Sequence, residues 1–423
     1  MENLPMHRRT LLTALGAMLP VTVNAQTTAN LSPPAGPKDE TGWTKVAAAY
    51  PARLDCVINL EFGAFGQMPL AVQAAFARYS ETVNLQGAYF TRREFAPYYM
   101  RLRQQIATAL NADPLEIAIT RNATEAMHAL ISGYNRLKPG DAVLMADHDY
   151  DSMQTAIDWL KTRRGVEITR IALPHPASHQ GLIDAYEQAL KAHPKVRLIL
   201  LTQIGHRSGL RLPVREIIAM ARARGVDALV DSAHAWGQMP VDVKTEGFEF
   251  AGFNLHKWIG APLGVGALYI RRDRISDIDP FMGEAVSELD LVSARVHTGT
   301  ANFAAQMAAI EALSLHARIG SAACEQRLSY LRDLWAEPAR DLKTIDVLTP
   351  ADPRLHVGIT SFRLKHDPSP QAHAAAAKRL LDEHGLFTVL RTGLDGGACI
   401  RVTPGFSSTP ADMARLLSAL RTL

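Results

Sequence analysis

The stretch that decides the fold runs from Leu229 to Arg272 and reads LVDSAHAWGQMPVDVKTEGFEFAGFNLHKWIGAPLGVGALYIRR. An apolar run, ALV, ends in Asp231, and His234 follows three residues later. The residues NLHK at 254–257 then precede a second apolar run, GVGALYI. Short apolar runs of this kind are typical of buried strands in a parallel sheet, whose ligands bind beyond the carboxyl ends of the strands. The spacing therefore predicts a buried acid and a reactive amine that face the same ligand.

Pyridoxal phosphate needs both of these groups. A lysine amine must form the Schiff base with the aldehyde of this cofactor, and a carboxylate must keep its ring nitrogen protonated so that the ring can accept electrons. Lys257 and Asp231 are the candidates for these two roles. Taken singly, a solvated lysine and an aspartate at a strand end are commonplace. It is their joint occurrence that favours the cofactor.

Apolar runs alternate with helical patterns on both sides of this stretch. The runs are EIAIT (116–120), AVLMAD (142–147), VRLILLTQI (196–204) and DALVDSA (227–233). This alternation indicates a mostly parallel sheet covered by helices on both faces. A long helical region after Ala301 leads to a smaller unit with the runs HVGITSFRL, LFTVLRT and CIRVT and a final helix from Pro410. We predict an α/β protein with a mostly parallel-sheet large domain and a smaller α/β C-terminal domain.

The N-terminus has the features of a targeting segment. Arg8 and Arg9 precede the apolar run LLTALGAMLPV, and Ala25 offers a small residue for cleavage. The apolar run is too short to span a bilayer well, and paired arginines before it indicate a twin-arginine signal peptide. We therefore expect export to the periplasm, and no membrane association once the signal is removed. The predicted organisation is a signal peptide at 1–25, a flexible leader at 26–42, an N-terminal segment at 43–70 that packs with the small domain, a cofactor-binding large domain at 71–309 and a small domain at 310–423.

Composition narrows the function classes. The 423 residues are 47% hydrophobic and 21% charged, and the formal net charge of +3 gives no reason to expect nucleic acid or an anionic membrane as a partner. The wide spacing of Cys56, Cys324 and Cys399 excludes a compact zinc motif and a disulfide framework. Three histidines invite a metal interpretation, but their spacing matches no short ligand motif, so we expect no metal: His206, His234 and His256.

Other polar residues follow the predicted strands and leave two interpretations open. Thr124 and the start of its helix could bind a phosphate group, or the same residues could form an ordinary helix cap. Tyr150 could stack on a pyridine ring or lie on the surface. His206 could bond the ring hydroxyl of the cofactor or simply cap a turn.

Together these residues resemble the class V aminotransferases, which belong to the superfamily with the aspartate aminotransferase fold. The resemblance covers nearly all of residues 55–423 and is greatest to the isopenicillin N epimerase-like branch, through the segments TRNATEAM and HKWIGAPLGVGALYIRR. It implies pyridoxal 5'-phosphate as cofactor, with Lys257 as the Schiff-base lysine and Asp231 as the partner of the pyridine nitrogen.

The resemblance also implies further site residues. His234 matches the position that contacts the ring hydroxyl, and Tyr150 the position of a stacking ring. Four residues fall on positions that hold the phosphate: Ala123, Thr124, Asn254 and His256. Thr300 matches a residue that reaches the phosphate of the neighbouring subunit, which implies a homodimer. Arg401 matches the arginine that binds the substrate α-carboxylate, a task that suits a bidentate guanidinium.

The reaction itself stays open at this point. Transamination, epimerisation and elimination all begin with removal of the Cα proton, and the acid or base opposite Lys257 could be Tyr150 or a histidine. His206 stands where cysteine desulfurases carry asparagine, and no cysteine lies where they place the thiol that takes up sulfur, so we do not expect that activity. Exported members of this branch include enzymes that tailor peptide siderophores, so the expected substrate is an amino acid or a modified peptide. The alternatives are a lyase and a siderophore-tailoring enzyme. A periplasmic solute-binding protein is the non-enzyme alternative, but it would not need Lys257, Thr300 and Arg401 at matching positions.

Overall fold

The computed structural model describes residues 31–54, 56–285, 291–297 and 299–423. In this part of the chain the α-helices are α1 (Glu40–Ala47), α2 (Leu70–Gln86), α3 (Ala88–Arg93), α4 (Ala96–Leu110), α5 (Ala123–Gly133), α6 (Asp151–Arg164), α7 (His179–Ala192), α8 (Val214–Arg222), α9 (Phe303–Ile319), α10 (Ser321–Ala339), α11 (Pro370–His384) and α12 (Pro410–Leu420). The strands are β1 (Ile58–Asn59), β2 (Ile117–Thr120), β3 (Ala142–Ala146), β4 (Glu167–Ile171), β5 (Val196–Thr202), β6 (Asp227–Asp231), β7 (Phe250–Asn254), β8 (Gly266–Ile270), β9 (Ile345–Val347), β10 (Thr360–Leu364), β11 (Leu386–Phe387), β12 (Val389–Leu394) and β13 (Gly397–Val402).

Seven strands form the central sheet, in the order β2-β8-β7-β6-β5-β3-β4. Strand β8 is antiparallel to both of its neighbours, and the other neighbouring pairs are parallel. The prediction of a mostly parallel sheet in an α/β fold is therefore confirmed. Sequence reasoning did not identify β4, because this edge strand is partly exposed along its length and lacks a continuous apolar run.

Side chains of the central strands alternate between two hydrophobic cores, as the two-residue period of a strand requires. In β3, Leu144 packs into one core, and Val143 and Met145 pack into the other. Both faces of β3 are therefore covered, and all five of its residues are buried. This double burial explains why the inner strands read as continuous apolar runs in the sequence.

A third core belongs to the C-terminal part of the chain. Its antiparallel sheet has the strand order β12-β13-β10-β9, and β11 pairs in parallel with β1 from the N-terminal segment. The expected boundary after residue 309 falls inside α9, which packs on α2 and α4 in the first core. The change from the first core to the third core lies later in the chain, within α10, where Leu328 packs in the first core and Leu331 packs in the third.

The N-terminal segment contacts both parts of the protein. Leu60 packs in the C-terminal core, whereas Trp43 packs in the first core. The end of the expected leader already makes contacts, since α1 begins at Glu40 and Arg327 Nη1 donates to the carbonyl of Pro37 at 2.8 Å. The predicted signal peptide at 1–25 lies outside the described residues. No helix in the described part of the chain is long and apolar enough to cross a membrane.

Candidate active site

A cavity of about 530 Å3 lies beyond the carboxyl ends of the central strands, where the C-terminal part of the chain covers them. Its walls come from the turns after β2, β3, β5, β6 and β7, from β12 and β13, and from Gly63 and Ala64. Ten of the eleven predicted site residues line it: Ala123, Thr124, Tyr150, His206, Asp231, His234, Asn254, His256, Lys257 and Arg401. The eleventh, Thr300, is exposed and does not line the cavity. The structure thus brings together residues that are up to 278 positions apart, from Ala123 to Arg401.

The amine of Lys257 lies 3.0 Å from Nε2 of His234, within hydrogen-bond distance. Burial lowers the pKa of Lys257 to about 8, and the positive charge of Arg401 acts in the same direction, whereas Asp231 opposes it. The turn that carries Lys257 is held by the N-terminal segment, since the Gly66 N–H donates to the carbonyl of His256 at 2.9 Å. Only glycine allows this approach, because a Cβ atom at Gly66 would lie 1.8 Å from the Lys257 carbonyl oxygen.

Asp231 ends β6 and is only 4% exposed. One carboxyl oxygen accepts a hydrogen bond from the N–H of Ala233 at 3.0 Å, and no described residue donates to the other oxygen. Burial raises the pKa of Asp231, because the charged form loses its hydration. A buried carboxylate with an open oxygen is suited to bind a cationic N–H group of a ligand in the cavity.

The N-terminus of α5 faces the cavity with donors to spare. The side chain of Asn122 caps the helix by accepting from the N–H of Glu125 at 2.8 Å, and the Ala123 N–H donates to Oδ1 of Asn254 at 2.8 Å. Among the described residues, none pairs with the N–H or the hydroxyl of Thr124. Asn122 therefore supplies the helix cap, and the donors of Thr124 remain available for an anion in the cavity.

The turns after β3 and β5 are fastened to each other by Asp149, which is fully buried. Its carboxylate accepts from the N–H of Ala146 at 2.7 Å and from the hydroxyl of Thr202 at 2.7 Å. This fixes the next residue, Tyr150, whose ring lies edge-on to the ring of His206 with the ring centres 5.0 Å apart. Burial lowers the pKa of His206 to about 4, so this ring is neutral at neutral pH.

Several buried polar atoms around the cavity lack partners. In the part of the chain that is described, the Nδ1 atoms of His206, His234 and His256 form no hydrogen bond. Buried polar atoms in proteins are normally paired, so these atoms are suited to a polar ligand. Together with the open oxygen of Asp231 and the free donors of Thr124, they fit a group that carries a phosphate, a ring hydroxyl and a ring nitrogen. No cluster of three or more metal-binding side chains occurs among the described residues.

Comparisons with known proteins agree with this geometry. Residues 58–410 match the aminotransferase class-V family. This chain is a member of that family. The family prediction is confirmed, and with it the prediction of a pyridoxal-phosphate-dependent enzyme. Family membership also sets aside the alternative of a solute-binding protein.

Relatives of this class V enzyme include isopenicillin N epimerase from Streptomyces clavuligerus, which is 27% identical over 383 residues, or 87% of this chain and 95% of the epimerase. Putative L-cysteine desulfhydrase 1 from Oryza sativa subsp. japonica is 34% identical over 51% of this chain and 48% of its own length. Among solved structures, the cystine C-S lyase C-DES in complex with cysteine persulfide gives a TM-score of 0.74 at 25% identity, covering 86% of this chain and 97% of the lyase. The cysteine desulfurase CsdA from Escherichia coli gives 0.76 at 21% identity, covering 90% of this chain and 98% of the desulfurase.

No cysteine of this class V enzyme is among the described residues that line the cavity. Cys399 and Cys324 are buried, and Cys56 is exposed. Burial raises the pKa of Cys399 to about 11, so that its thiol stays protonated and unreactive at neutral pH. The site therefore offers no thiolate to receive sulfur.

Sequence reasoning missed three charged residues at the site, Asp151, Arg391 and Glu61, of which the first two line the cavity. Arg401, which is predicted to bind a substrate carboxylate, donates through Nε and Nη2 to the carboxylate of Glu61, with 3.2 Å between Nε and Oε2. Arg391 Nη2 donates to the same carboxylate at 2.8 Å. For Glu61 and Arg391 the sequence does hold a usable sign of their role, because each directly follows a mainly apolar run. The run is VINL before Glu61 and FTVL before Arg391.

Proposed function

We propose that this enzyme acts at the Cα atom of an amino acid, or of a peptide with a free amino group, in a reaction of the aminotransferase or epimerase type. The observation that carries the proposal is the amine of Lys257, whose pKa is lowered to about 8 in a cavity that also holds the open carboxylate of Asp231. Isopenicillin N epimerase, a relative that this chain matches over 95% of the relative's length, supports the choice of reaction type.

Bound pyridoxal phosphate supplies an aldehyde that reacts with amines and a ring that accepts an electron pair. Lys257 is suited to hold the cofactor and then to move the Cα proton, because an amine with a pKa of about 8 is neutral in about a tenth of molecules at pH 7. Asp231 would stabilise positive charge on a ring nitrogen. Thr124 and the N-terminus of α5 would hold the phosphate, and Asn254 would orient this end through its bond to Ala123.

An epimerase also needs an acid or base on the side of Cα away from Lys257. Tyr150 follows β3 and Lys257 follows β7, which lies three strands away in the sheet. Neighbouring strands are about 4.8 Å apart, so the two turns are about 14 Å apart at the sheet edge. Tyr150 and Lys257 line the same cavity from these two separate turns, and His206 contacts the Tyr150 ring. We therefore assign the second acid/base role to Tyr150.

A C–S lyase is the second candidate, and one observation favours it. No cysteine lines the described cavity, and elimination of sulfur from a substrate needs no protein thiol, unlike transfer of sulfur to the enzyme. The relatives named as L-cysteine desulfhydrase and cystine C-S lyase support this alternative.

The deciding experiment incubates the holoenzyme with amino acids, cystine and short peptides in deuterated water and follows them by NMR. Epimerisation puts deuterium on Cα in both configurations, and transamination gives a keto acid. Elimination gives pyruvate and ammonia, together with sulfide from cysteine or cysteine persulfide from cystine. Lys257→Ala should abolish turnover and covalent retention of the cofactor, while Lys244→Ala, a change at an exposed lysine, should alter neither. Full turnover in Lys257→Ala would refute the proposal.

We also propose that the enzyme is exported through the twin-arginine pathway and forms a homodimer. The support for export is the sequence around Arg8 and Arg9, and cell fractionation of the wild type and of a variant with both arginines changed to lysine tests it. The support for the dimer is the exposed position of Thr300. Sedimentation of the holoenzyme tests assembly, and Thr300→Ala should weaken cofactor binding if this residue reaches a neighbouring site.

A further inference from the structure

Asp151 places an accessible carboxylate in the wall of the cavity. It is the first residue of α6, directly after Tyr150, and it lines the cavity. Its side chain is 68% exposed, which leaves the carboxylate open to a ligand. The other two carboxylates described at this site, those of Asp231 and Glu61, are both buried. Asp151 is therefore the acid of the site that a substrate can reach most directly.

The carboxylate of Asp151 is held in place by two neighbouring side chains. Nη2 of Arg207 donates to Oδ1 of Asp151, and Nε2 of His206 lies 3.4 Å from Oδ2. Arg207 is itself fixed by backbone carbonyls, since Nη1 donates to the carbonyl of Asp149 at 2.8 Å and Nε donates to that of Thr392 at 2.5 Å. The protein therefore orients this carboxylate before any substrate binds, which lowers the entropic cost of a contact with it.

The ion pair between Asp151 and Arg207 presents its negative end to the cavity. Arg207 is 2% exposed and is not among the described residues that line the cavity. The hydrogen bond with His206 and the charge of Arg207 lower the pKa of Asp151, so its carboxylate is charged at neutral pH. Arg391, a partly exposed cation of the cavity, pairs with Glu61 and forms no ion pair with Asp151. The exposed face of the carboxylate therefore remains available to a cationic group of a ligand.

We propose that Asp151 selects substrates that carry a second positive charge away from the reacting Cα atom, such as the ammonium group of a lysine or ornithine side chain. An ammonium group donates charge-assisted hydrogen bonds to a carboxylate. Asp151 follows β3 and Lys257 follows β7, three strands away, so the contact lies away from the amine that acts at Cα. The proposal rests on the proposed function in one respect, that the substrate is an amino acid or peptide whose Cα proton Lys257 removes.

The first test compares ligands of the wild-type holoenzyme that differ in this charge. L-lysine is compared with L-norleucine and with Nε-acetyl-L-lysine, and binding is followed by the change in visible absorption of the cofactor. L-lysine should bind at least about fivefold more tightly, the size expected of a partly exposed ion pair, and added salt should reduce this advantage. Equal affinities for the three compounds at low salt would overturn the proposal. A holoenzyme without a visible cofactor band would instead contradict the proposed function, so the two failures are distinguishable.

The second test removes the charge of Asp151 and keeps its shape. In Asp151→Asn the affinity for L-lysine should fall to that for L-norleucine, while L-norleucine binds as it does to the wild type. Asp158→Asn is the matched control, because it removes the same charge from a position of α6 that does not line the cavity, and it should keep the wild-type ratio of affinities. A purely structural role of Asp151 would weaken both ligands equally. An unchanged ratio in Asp151→Asn would therefore overturn the proposal.

Discussion

Replacing Lys257 with methionine should stabilise the cofactor-free protein at neutral pH. In the folded chain burial lowers the pKa of this lysine from 10.5 to about 8. Because a tenfold change in an acid constant is worth about 1.4 kcal/mol, holding the charged amine in the cavity costs about 3 kcal/mol at most. The side chain is only partly buried, and its attraction to Asp231 would be lost. We therefore expect a gain of about 2 kcal/mol.

The gain should depend on pH in a definite direction. Below about pH 8 the lysine is protonated in both the folded and the unfolded chain, so the full cost is present. Between about pH 8 and 10.5 the unfolded chain binds more protons than the folded chain, and the stability of the wild type rises with pH. The methionine variant has no such group at position 257. Its advantage over the wild type should therefore shrink across this range.

Urea unfolding of the cofactor-free wild type and Lys257→Met, at pH 7 and at pH 10, measures the difference in the free energy of unfolding. Lys244→Met is the matched control, since Lys244 is exposed and its replacement should change stability by less than about 0.5 kcal/mol. The reasoning would be refuted if Lys257→Met were less stable than the wild type at pH 7. It would also be refuted if the gain in the free energy of unfolding were the same at both pH values.

Three further outcomes follow from the site. Asp231→Asn should keep the cofactor but lower turnover at least about a hundredfold, because an amide stabilises a cationic ring nitrogen poorly; steady-state kinetics measures this. Thr124→Val should weaken cofactor binding about tenfold in equilibrium dialysis, the expected loss for a hydrogen bond to a charged group. Gly66→Ala should lower the melting temperature strongly, since its Cβ atom would lie 1.8 Å from the Lys257 carbonyl oxygen, whereas Gly36→Ala, with no atom within 4 Å, should not. Wild-type kinetics in Asp231→Asn, undiminished cofactor affinity in Thr124→Val, or equal melting temperatures for Gly66→Ala and Gly36→Ala would contradict these expectations.

Much of the site could be predicted because its residues follow strands that are easy to recognise. Tyr150 and His206 lie in the turns after β3 and β5, and Asp231 ends β6; in a parallel sheet these positions meet at one edge. Apolar periodicity is a local property of the chain and can be read without the fold. The edge strand β4 and the extent of α9 in the first core were not predictable in this way, since neither depends on a local pattern alone.

The sequence by itself determined the fold class and the family, and it brought out the lysine and the aspartate that we predict to meet the cofactor, because spacing along a few turns encodes them. Only the tertiary structure decided the state of Arg401. Its partner, Glu61, lies 340 residues away in the chain, and any of the acidic residues could have taken that place as far as the sequence shows. Pairing between distant charges depends on which segments the folded cores bring side by side. Here the bridge between Glu61, after β1, and Thr403, after β13, places a carboxylate beside Arg401.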